Sequence, residues 1–228
     1  MNVIQKIKGY LNRPRITEKD VLKYLAHKTA PIILEAGAAD GTDTLRFSLL
    51  APEALIYAFE PVSKNYNILK EKVKGCPNVK IYKMALGEIE GTMEIYISKN
   101  QKSTDDVASS SSLLTPKIHK ETHPQILFEE TEDVIVRTID SWALENNIDH
   151  IDAMWLDMQG YEFQTLKASP EIMKTVKVIY TEVNFIEMYE NCGLYEEYRD
   201  WLFSLGFKLV KKEFRWKEQG NALFIRNI

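Results

Sequence analysis

The sequence of 228 residues predicts one α/β domain, a mostly parallel β-sheet with helices on both faces. First, short apolar runs such as 32–34, 55–59 and 151–156 suit strands that are buried on both faces of a sheet. Second, segments with helical spacing of apolar residues separate these runs, which favours right-handed crossovers between parallel strands. Third, the hydrophobic content is 45%. The chain is long enough for one sizeable core and short for two.

The predicted elements follow in order along the chain. An N-terminal helical segment spans 1–30, with Thr17 as the cap of a helix over 18–27, and the main domain covers 31–228. Strands of the main sheet are predicted at 32–34, 55–59, 79–84, 151–156, 176–183, 207–210 and 222–225. Helical segments are predicted through 45–50, 66–73, 140–147, 161–174 and 195–205, with a break at Pro170.

A polar insertion rich in Ser, Thr, Lys and His occupies about 99–133. The segments on either side of it, 92–97 and 134–139, alternate as strands do and are expected to pair as a hairpin. The insertion is too long for an ordinary connection, so we expect a lid or substrate loop that serves the acceptor. The alternative is a disordered insertion.

Composition limits the class of partner and the compartment. The chain has 29 basic and 33 acidic residues, a net charge of −4, so no positive excess indicates nucleic-acid binding. Cys76 and Cys192 cannot form a disulfide framework, which favours a reducing, cytoplasmic location. We expect no export signal and no transmembrane segment, because no apolar run approaches the roughly 20 residues of a membrane span. The oligomeric state stays open.

Small residues follow the first predicted strand, where a ligand binds in open α/β sheets. The order there is Glu35-Ala-Gly37-Ala38-Ala-Asp40-Gly41. Glycine and alanine let a ligand approach the backbone closely. Because the spacing lacks the G-x-G-x-x-G fingerprint, a dinucleotide pyrophosphate is disfavoured.

Further candidates for the same site follow the second and third strands. Glu60-Pro61 comes after 55–59, and a carboxylate there can accept hydrogen bonds from two ribose hydroxyls. The alternative for Glu60 is a charge at a helix start. Ala85-Leu86 comes after 79–84 and is small enough for an adenine ring to lie against it.

Five sequence blocks in order resemble the motifs of the FkbM family of methyltransferases. They are E-A-G-A-A-D-G-T, F-E-P and M-A-L-G, then V-R-T-I-D at 136–140 and L-D-M-Q-G-Y-E at 156–162. The resemblance covers about 32–210. It implies a Rossmann-like class I methyltransferase fold with a seven-stranded sheet, and S-adenosyl-L-methionine as the cofactor. It also implies methyl transfer to oxygen, commonly on a sugar or a natural product.

The resemblance assigns residues to the two ends of the cofactor. Glu35, Gly37 and Asp40 are implied at the methionine end, and Glu60 at the ribose. The sequence departs from the family at Glu35, where members usually carry Asp. A longer carboxylate at that position can still meet the cofactor's amino group, directly or through water.

Candidate catalytic residues follow the fourth and fifth predicted strands. Methyl transfer needs in-line alignment of oxygen, methyl and sulfur, and often removal of the hydroxyl proton. Asp157 is the principal candidate for orienting or deprotonating the acceptor beside the cofactor, with Glu182 as a second candidate. The alternative for Asp157 is a helix cap, and Glu162 equally suits a first-turn carboxylate.

Histidines in the insertion are a further candidate. His119, four residues before His123, is assigned to substrate contact or general-base work from the lid, with exposed surface histidines as an equal alternative. A zinc site would need two more ligands that we do not find. Pro124 argues against a long helix through this pair.

A magnesium site is a minority hypothesis. Oxygens of Asp157, Glu182 and Asn184 suit Mg²⁺, which would lower the pKa of the acceptor hydroxyl. The sequence does not establish such a site, and we assign no metal ligand.

The sequence therefore favours methyl transfer to a hydroxyl of a sugar, glycoconjugate or natural product. One alternative is N- or C-methylation of a small molecule, whose amide-nitrogen version is disfavoured because no Asn-Pro-Pro-Tyr-type motif is present. Another is a non-catalytic module that binds a partner protein and for which Glu60 and Asp157 are dispensable.

Overall fold

The structure, a computed structural model, describes residues 15–104, 107–214 and 216–226. Its strands are β1 (Ile32–Ala36), β2 (Leu55–Phe59), β3 (Val79–Tyr82), β4 (Ala85–Leu86), β5 (Gly91–Asn100), β6 (Ile126–Arg137), β7 (Ala153–Leu156), β8 (Val178–Asn184), β9 (Lys208–Glu213) and β10 (Gln219–Ile225). Seven of them form the main sheet in the order β3-β2-β1-β7-β8-β10-β9. Strand β10 is antiparallel to β8 and β9, and the remaining pairs of this sheet are parallel. The predicted seven-stranded, mostly parallel α/β sheet is confirmed.

The helices cover both faces of this sheet. They are α1 (Glu18–Leu22), α2 (Thr42–Leu50), α3 (Ser63–Val73), α4 (His119–Thr122), α5 (Ile139–Glu145), α6 (Glu162–Lys167), α7 (Pro170–Met173) and α8 (Tyr195–Ser204). The helix predicted over 18–27 is shorter, and 1–14 of the predicted N-terminal segment lie outside the described residues. The predicted break at Pro170 separates α6 from α7. Among the described residues, no helix is long and apolar enough to cross a membrane.

Aromatic side chains fill the two layers between the sheet and its helices. On one face, Trp142 of α5 packs edge-on against Tyr57 and Phe59 of β2, at ring-centroid distances of 5.0 and 4.9 Å. On the other face, Phe47 of α2 packs edge-on against Trp155 of β7 at 5.3 Å. Both faces of the central strands are therefore buried, as their unbroken apolar runs predict.

A second sheet carries the insertion. Its order is β4-β6-β5, and β5 and β6 form the predicted antiparallel hairpin. Strand β5 pairs with β6 as far as Asn100, whose partner is Ile126. The hairpin therefore includes both ends of the insertion that we expected over 99–133. The residues at 129–133 are mostly charged and show no apolar alternation, so the sequence did not predict this part of the strand. The described part of the remaining segment is ordered against the domain, for example where Ser112 bridges to Tyr96 of β5.

The switch in strand order lies between β1 and β7. The chain builds β2 and β3 on one side of β1 and returns through β7 on the other, which opens a crevice at the carboxyl ends of the strands. Asp157, after β7, donates its N–H to the Ala36 carbonyl at 3.0 Å. Gly37 has φ +83°, and a Cβ there would lie 1.8 Å from the Asp157 carbonyl oxygen. Only glycine fits this crossing.

Replacing Gly37 by alanine should therefore destabilise the fold. The new Cβ would collide with backbone, and the left-handed conformation would add strain, so we expect a loss of at least roughly 1–3 kcal/mol in the free energy of unfolding. Gly75→Ala is the matched control, because its Cβ would meet nothing within 4 Å. Urea denaturation of the two variants tests this difference, and equal stabilities would contradict it.

Candidate functional site

A cavity opens at the switch point. The loops after β1, β2 and β7, the small sheet and the insertion all contribute to its wall. Six of the residues predicted for the cofactor site line it: Gly37, Glu60, Pro61, Ala85, Leu86 and Asp157. The structure therefore brings the strand-end blocks together at one site.

Glu60 is buried in the wall of this cavity, where its side chain is 3% exposed. One carboxylate oxygen accepts the N–H of Ala39 at 2.8 Å, and the other accepts the N–H of Val62 at 2.9 Å. The amide of Asn65 also donates to the second oxygen, at 3.4 Å. Burial raises the pKa of Glu60 to about 7, although these three donors favour the charged form. Glu60 thus accepts a hydrogen bond at the start of α3, as the alternative of a charge at a helix start expects. It also lines the cavity.

The insertion forms part of the cavity wall through Ala108, Ser109, Ser111 and Leu113. Asn65 fixes it there, because its Oδ1 accepts the Ala108 N–H at 2.9 Å and its Nδ2 donates to the Ala108 carbonyl at 3.2 Å. The insertion therefore lines the same cavity as the residues predicted for the cofactor, and its role as a lid or substrate loop stays a prediction.

Two residues predicted for the cofactor site, Asp40 and Gly41, do not line the cavity and instead contact other parts of the protein. The Asp40 carboxylate accepts the N–H and hydroxyl of Thr42 at 3.0 and 2.7 Å, and it pairs with Lys72. Partial burial opposes its charge, but Lys72 and Thr42 hold the pKa of Asp40 below its usual range. Gly41, the N-cap of α2, has φ +76° and packs against Leu69. Both shape the loop, and neither lines the cavity.

Glu35 and Ala38 also lie outside the lining. Glu35 is 1% exposed, and its Oε2 has no hydrogen-bond partner among the described residues. Burial, with smaller contributions from Asp43 and Glu18, raises the pKa of Glu35 to about 8. Ala38 packs in the small apolar cluster around α3.

Three carboxylates meet at the ends of β7 and β8. Asp157, Glu162 and Glu182 each place one oxygen within 4.8 Å of the others. Burial, followed by repulsion between these groups, raises the pKa of Glu162 to about 8 and that of Glu182 well above its usual range. Burial also raises the pKa of Asp157.

The three carboxylates have different partners. Both oxygens of Glu162 accept backbone N–H groups, from Met158 at 2.6 Å and Gly160 at 3.0 Å, so Glu162 holds the loop before α6. Asp157 is not the cap of α6, because Tyr161 occupies the N-cap position. Its Oδ1 instead accepts the amide of Gln159 at 2.6 Å.

Glu182 lies outside the cavity lining, although it was predicted as catalytic. It is 6% exposed, and its Oε2 accepts the amides of Gln219 at 3.1 Å and Gln159 at 3.5 Å. The amide of Gln159 therefore provides a hydrogen-bond donor between Asp157 and Glu182. Glu182 Oε1 and Asn184 Oδ1 have no hydrogen-bond partner among the described residues. No comparison supports Mg²⁺ at this site, and we derive no step through it.

The structure places His119 away from the cavity. Its side chain is 3% exposed and packs against His123 and Tyr189, at ring-centroid distances of 4.9 and 5.3 Å. Burial lowers the pKa of His119 to about 4, so it stays neutral at physiological pH. The predicted lid base is therefore a packed residue behind Tyr189, and we assign it no catalytic role.

Sequence reasoning missed several residues of the cavity wall. Met158, Gln159 and Tyr161 line the cavity beside Asp157. The block L-D-M-Q-G-Y-E contains all three, but only Asp157 received a role. Asn65 also lines the site, and its signal was a polar residue five positions after Glu60 at the start of a helix.

Comparisons with known proteins agree with this geometry. The family model described as "Methyltransferase FkbM domain" matches residues 35–209. The chain is 28% identical over 166 residues to the 2-O-methyltransferase NoeI of Sinorhizobium fredii (strain NBRC 101917 / NGR234), a match that covers 73% of this chain and 68% of NoeI.

Solved structures show the same fold. The N-terminal domain of EvdMO1, crystallised in the presence of SAH and D-fucose, matches with a TM-score of 0.50 at 11% identity, covering 92% of this chain and 81% of that domain. The fibrillarin pre-rRNA processing protein of Methanococcus jannaschii matches with a TM-score of 0.50 at 16% identity, covering 87% and 67%. Since the family model spans most of the sequence, the chain belongs to the FkbM family of S-adenosylmethionine-dependent methyltransferases.

Proposed function

We propose that the protein is an O-methyltransferase that acts on a hydroxyl of a sugar, glycoconjugate or natural product. One observation carries this proposal: Glu60, after β2, and Asp157, after β7, line the wall of the same cavity. The relative NoeI, a 2-O-methyltransferase, supports oxygen as the acceptor atom.

The cavity offers a place for each part of S-adenosylmethionine. The adenine would lie against Ala85 and Leu86, and the ribose hydroxyls would donate to Glu60, whose carboxylate is already directed by three donors. The methionine end would follow the glycine loop at Gly37, which brings the sulfonium toward Asp157. Small residues along this path let the ligand lie close to the backbone.

The reaction needs little beyond alignment and a base. S-adenosylmethionine would supply the methyl group, and Gly37, Glu60 and Asp157 would hold it so that the acceptor oxygen, the methyl carbon and the sulfur lie in line. Asp157 takes the hydroxyl proton, which leaves a methyl ether and S-adenosylhomocysteine, SAH. Burial, which raises the pKa of Asp157, makes this carboxylate a better base than an exposed one.

The polar groups around Asp157 suit a neutral polyol. Ser109 and Ser111 also line the cavity and offer hydroxyl groups. Such groups can bind the hydroxyls that flank a methylated position, whereas the net charge of −4 gives no general attraction for a nucleic-acid backbone.

The proposal is tested by acceptor screening. The protein is incubated with S-adenosylmethionine and a panel of hexoses, 6-deoxyhexoses, N-acetylhexosamines and their methyl glycosides, with amines and nucleosides as controls. SAH release should depend on a sugar hydroxyl, and NMR of the product should show a methyl ether. Turnover of the amines alone would favour N-methylation. SAH binding without turnover of any acceptor, unchanged in Asp157→Asn, would favour a non-catalytic module.

Glu60→Gln should weaken SAH binding and remove its pH dependence. Because the pKa of Glu60 lies at about 7, the carboxylate is mostly protonated at pH 6 and ionised at pH 8. Ribose hydroxyls donate to the ionised form, so affinity of the wild type should rise on the order of tenfold between these values. Isothermal calorimetry across this range measures both effects.

Glu90→Gln is the matched control for this measurement. Glu90 accepts the Thr138 N–H at the start of α5 and lies outside the cavity lining. It should keep the wild-type pH profile for SAH. A profile that is the same in all three proteins would place the ribose elsewhere.

Asp157→Asn should lower turnover of the best acceptor by on the order of 10²–10⁴, the usual contribution of a general base, with SAH affinity nearly unchanged. Asp140→Asn makes the same change at a carboxylate that instead binds the N–H groups of Glu171 and Ile172, and it should keep turnover. Activity that EDTA abolishes and Mg²⁺ restores would show a metal role, which contradicts the direct-base mechanism.

A further inference from the structure

We infer that Gln159 is a positioning residue, which directs the Asp157 carboxylate toward the cavity, and that Tyr189 fixes the orientation of the Gln159 amide. The inference rests on the proposed role of Asp157. It assigns a function to two residues outside the predicted catalytic set, and it connects the acceptor side of the site to the insertion.

The hydrogen bonds of Gln159 describe one orientation of its amide. Its Nε2 donates to Asp157 Oδ1 at 2.6 Å and to Glu182 Oε2 at 3.5 Å. Its Oε1 accepts the hydroxyl of Tyr189 at 2.9 Å. That hydroxyl has one proton, which it shares between Gln159 Oε1 and the Ser110 carbonyl, so the amide presents its donor side to both acidic groups.

The insertion holds both residues in place. Ser112 donates its hydroxyl to the Gln159 carbonyl at 2.8 Å, and Tyr189 also donates to the Ser110 carbonyl at 3.1 Å. Gln159 has φ +54°, in the left-handed region. Residues other than glycine rarely adopt this backbone conformation, so the surrounding contacts must impose it. With 7% exposure for Gln159 and none for Tyr189, water cannot easily replace these bonds.

Charge explains why Asp157 needs such a partner. The ionisable groups that face it are Asp43 on α2, Glu162 on α6 and Glu182 and Tyr180 on β8, along with Tyr189. None of these can carry a positive charge. The amide of Gln159 therefore separates Asp157 from Glu182 with a donor, and it leaves the second oxygen of Asp157 for the cavity.

The test compares two cofactor analogues at one pH. SAH has a neutral sulfur, whereas sinefungin has a carbon in place of the sulfur and, in place of the methyl group, a primary amine that is protonated at neutral pH. If Gln159 directs Asp157 to that position, Gln159→Met should weaken sinefungin binding roughly tenfold, about the loss of one charge-assisted hydrogen bond, and leave SAH affinity within roughly twofold. Tyr189→Phe, which keeps the ring packing, should give a smaller loss in the same direction.

Tyr198→Phe is the matched control, since it removes a buried tyrosine hydroxyl that donates to Thr181 and does not contact Gln159. It should not change the ratio of the two affinities. In an Asp157→Asn background, Gln159→Met should have no further effect on the ratio, because a positioning residue acts through its partner.

Three results would overturn the inference: an unchanged ratio in Gln159→Met, an unchanged ratio in Tyr189→Phe, or an effect of Gln159→Met that persists in Asp157→Asn. Failure of the proposed function gives a different signature. In that case the wild type would bind neither analogue, or Asp157→Asn would keep full turnover of the acceptor.

Discussion

The close passage of the chain after β1 over the end of β7 is the constraint on which the rest of the site depends. Gly37 crosses the Asp157 carbonyl where no Cβ fits, and Ala36 and Asp157 are joined by a backbone hydrogen bond. This contact sets the width of the crevice at the switch point. It also directs the loop toward Glu60, whose carboxylate accepts the Ala39 N–H. A side chain at position 37 would push the loop after β1 away from the end of β7, which carries Asp157, the proposed base.

Buried acidic side chains surround the site that results. Glu35, Glu60, Glu162 and Glu182 are all nearly inaccessible to water, and burial raises the pKa of each, which favours the neutral form. The fold tolerates these groups because backbone N–H groups and amides direct most of them. If S-adenosylmethionine binds here as we propose, its positive charge would favour the ionised form of these side chains.

Local patterns predicted the strands well and the polar contacts poorly. The run 55–59 coincides with β2, and Glu60 and Asp157 follow from strand ends alone. Asn65 and Gln159 could not be found in this way, because their partners at Ala108 and Tyr189 are brought near only by the tertiary fold. His119 illustrates the opposite error: a titratable residue in a polar segment suggested chemistry, but packing made it a buried, neutral side chain.

A crystal structure with SAH bound tests the central claim most directly. The account predicts the ribose hydroxyls within hydrogen-bond distance of Glu60, the adenine against Ala85 and Leu86, and the sulfur on the Asp157 side of the cavity. Ala108 and Ser109 should lie against the ligand, because the insertion forms that wall. SAH bound outside this cavity, or inside it with the ribose away from Glu60, would contradict the account.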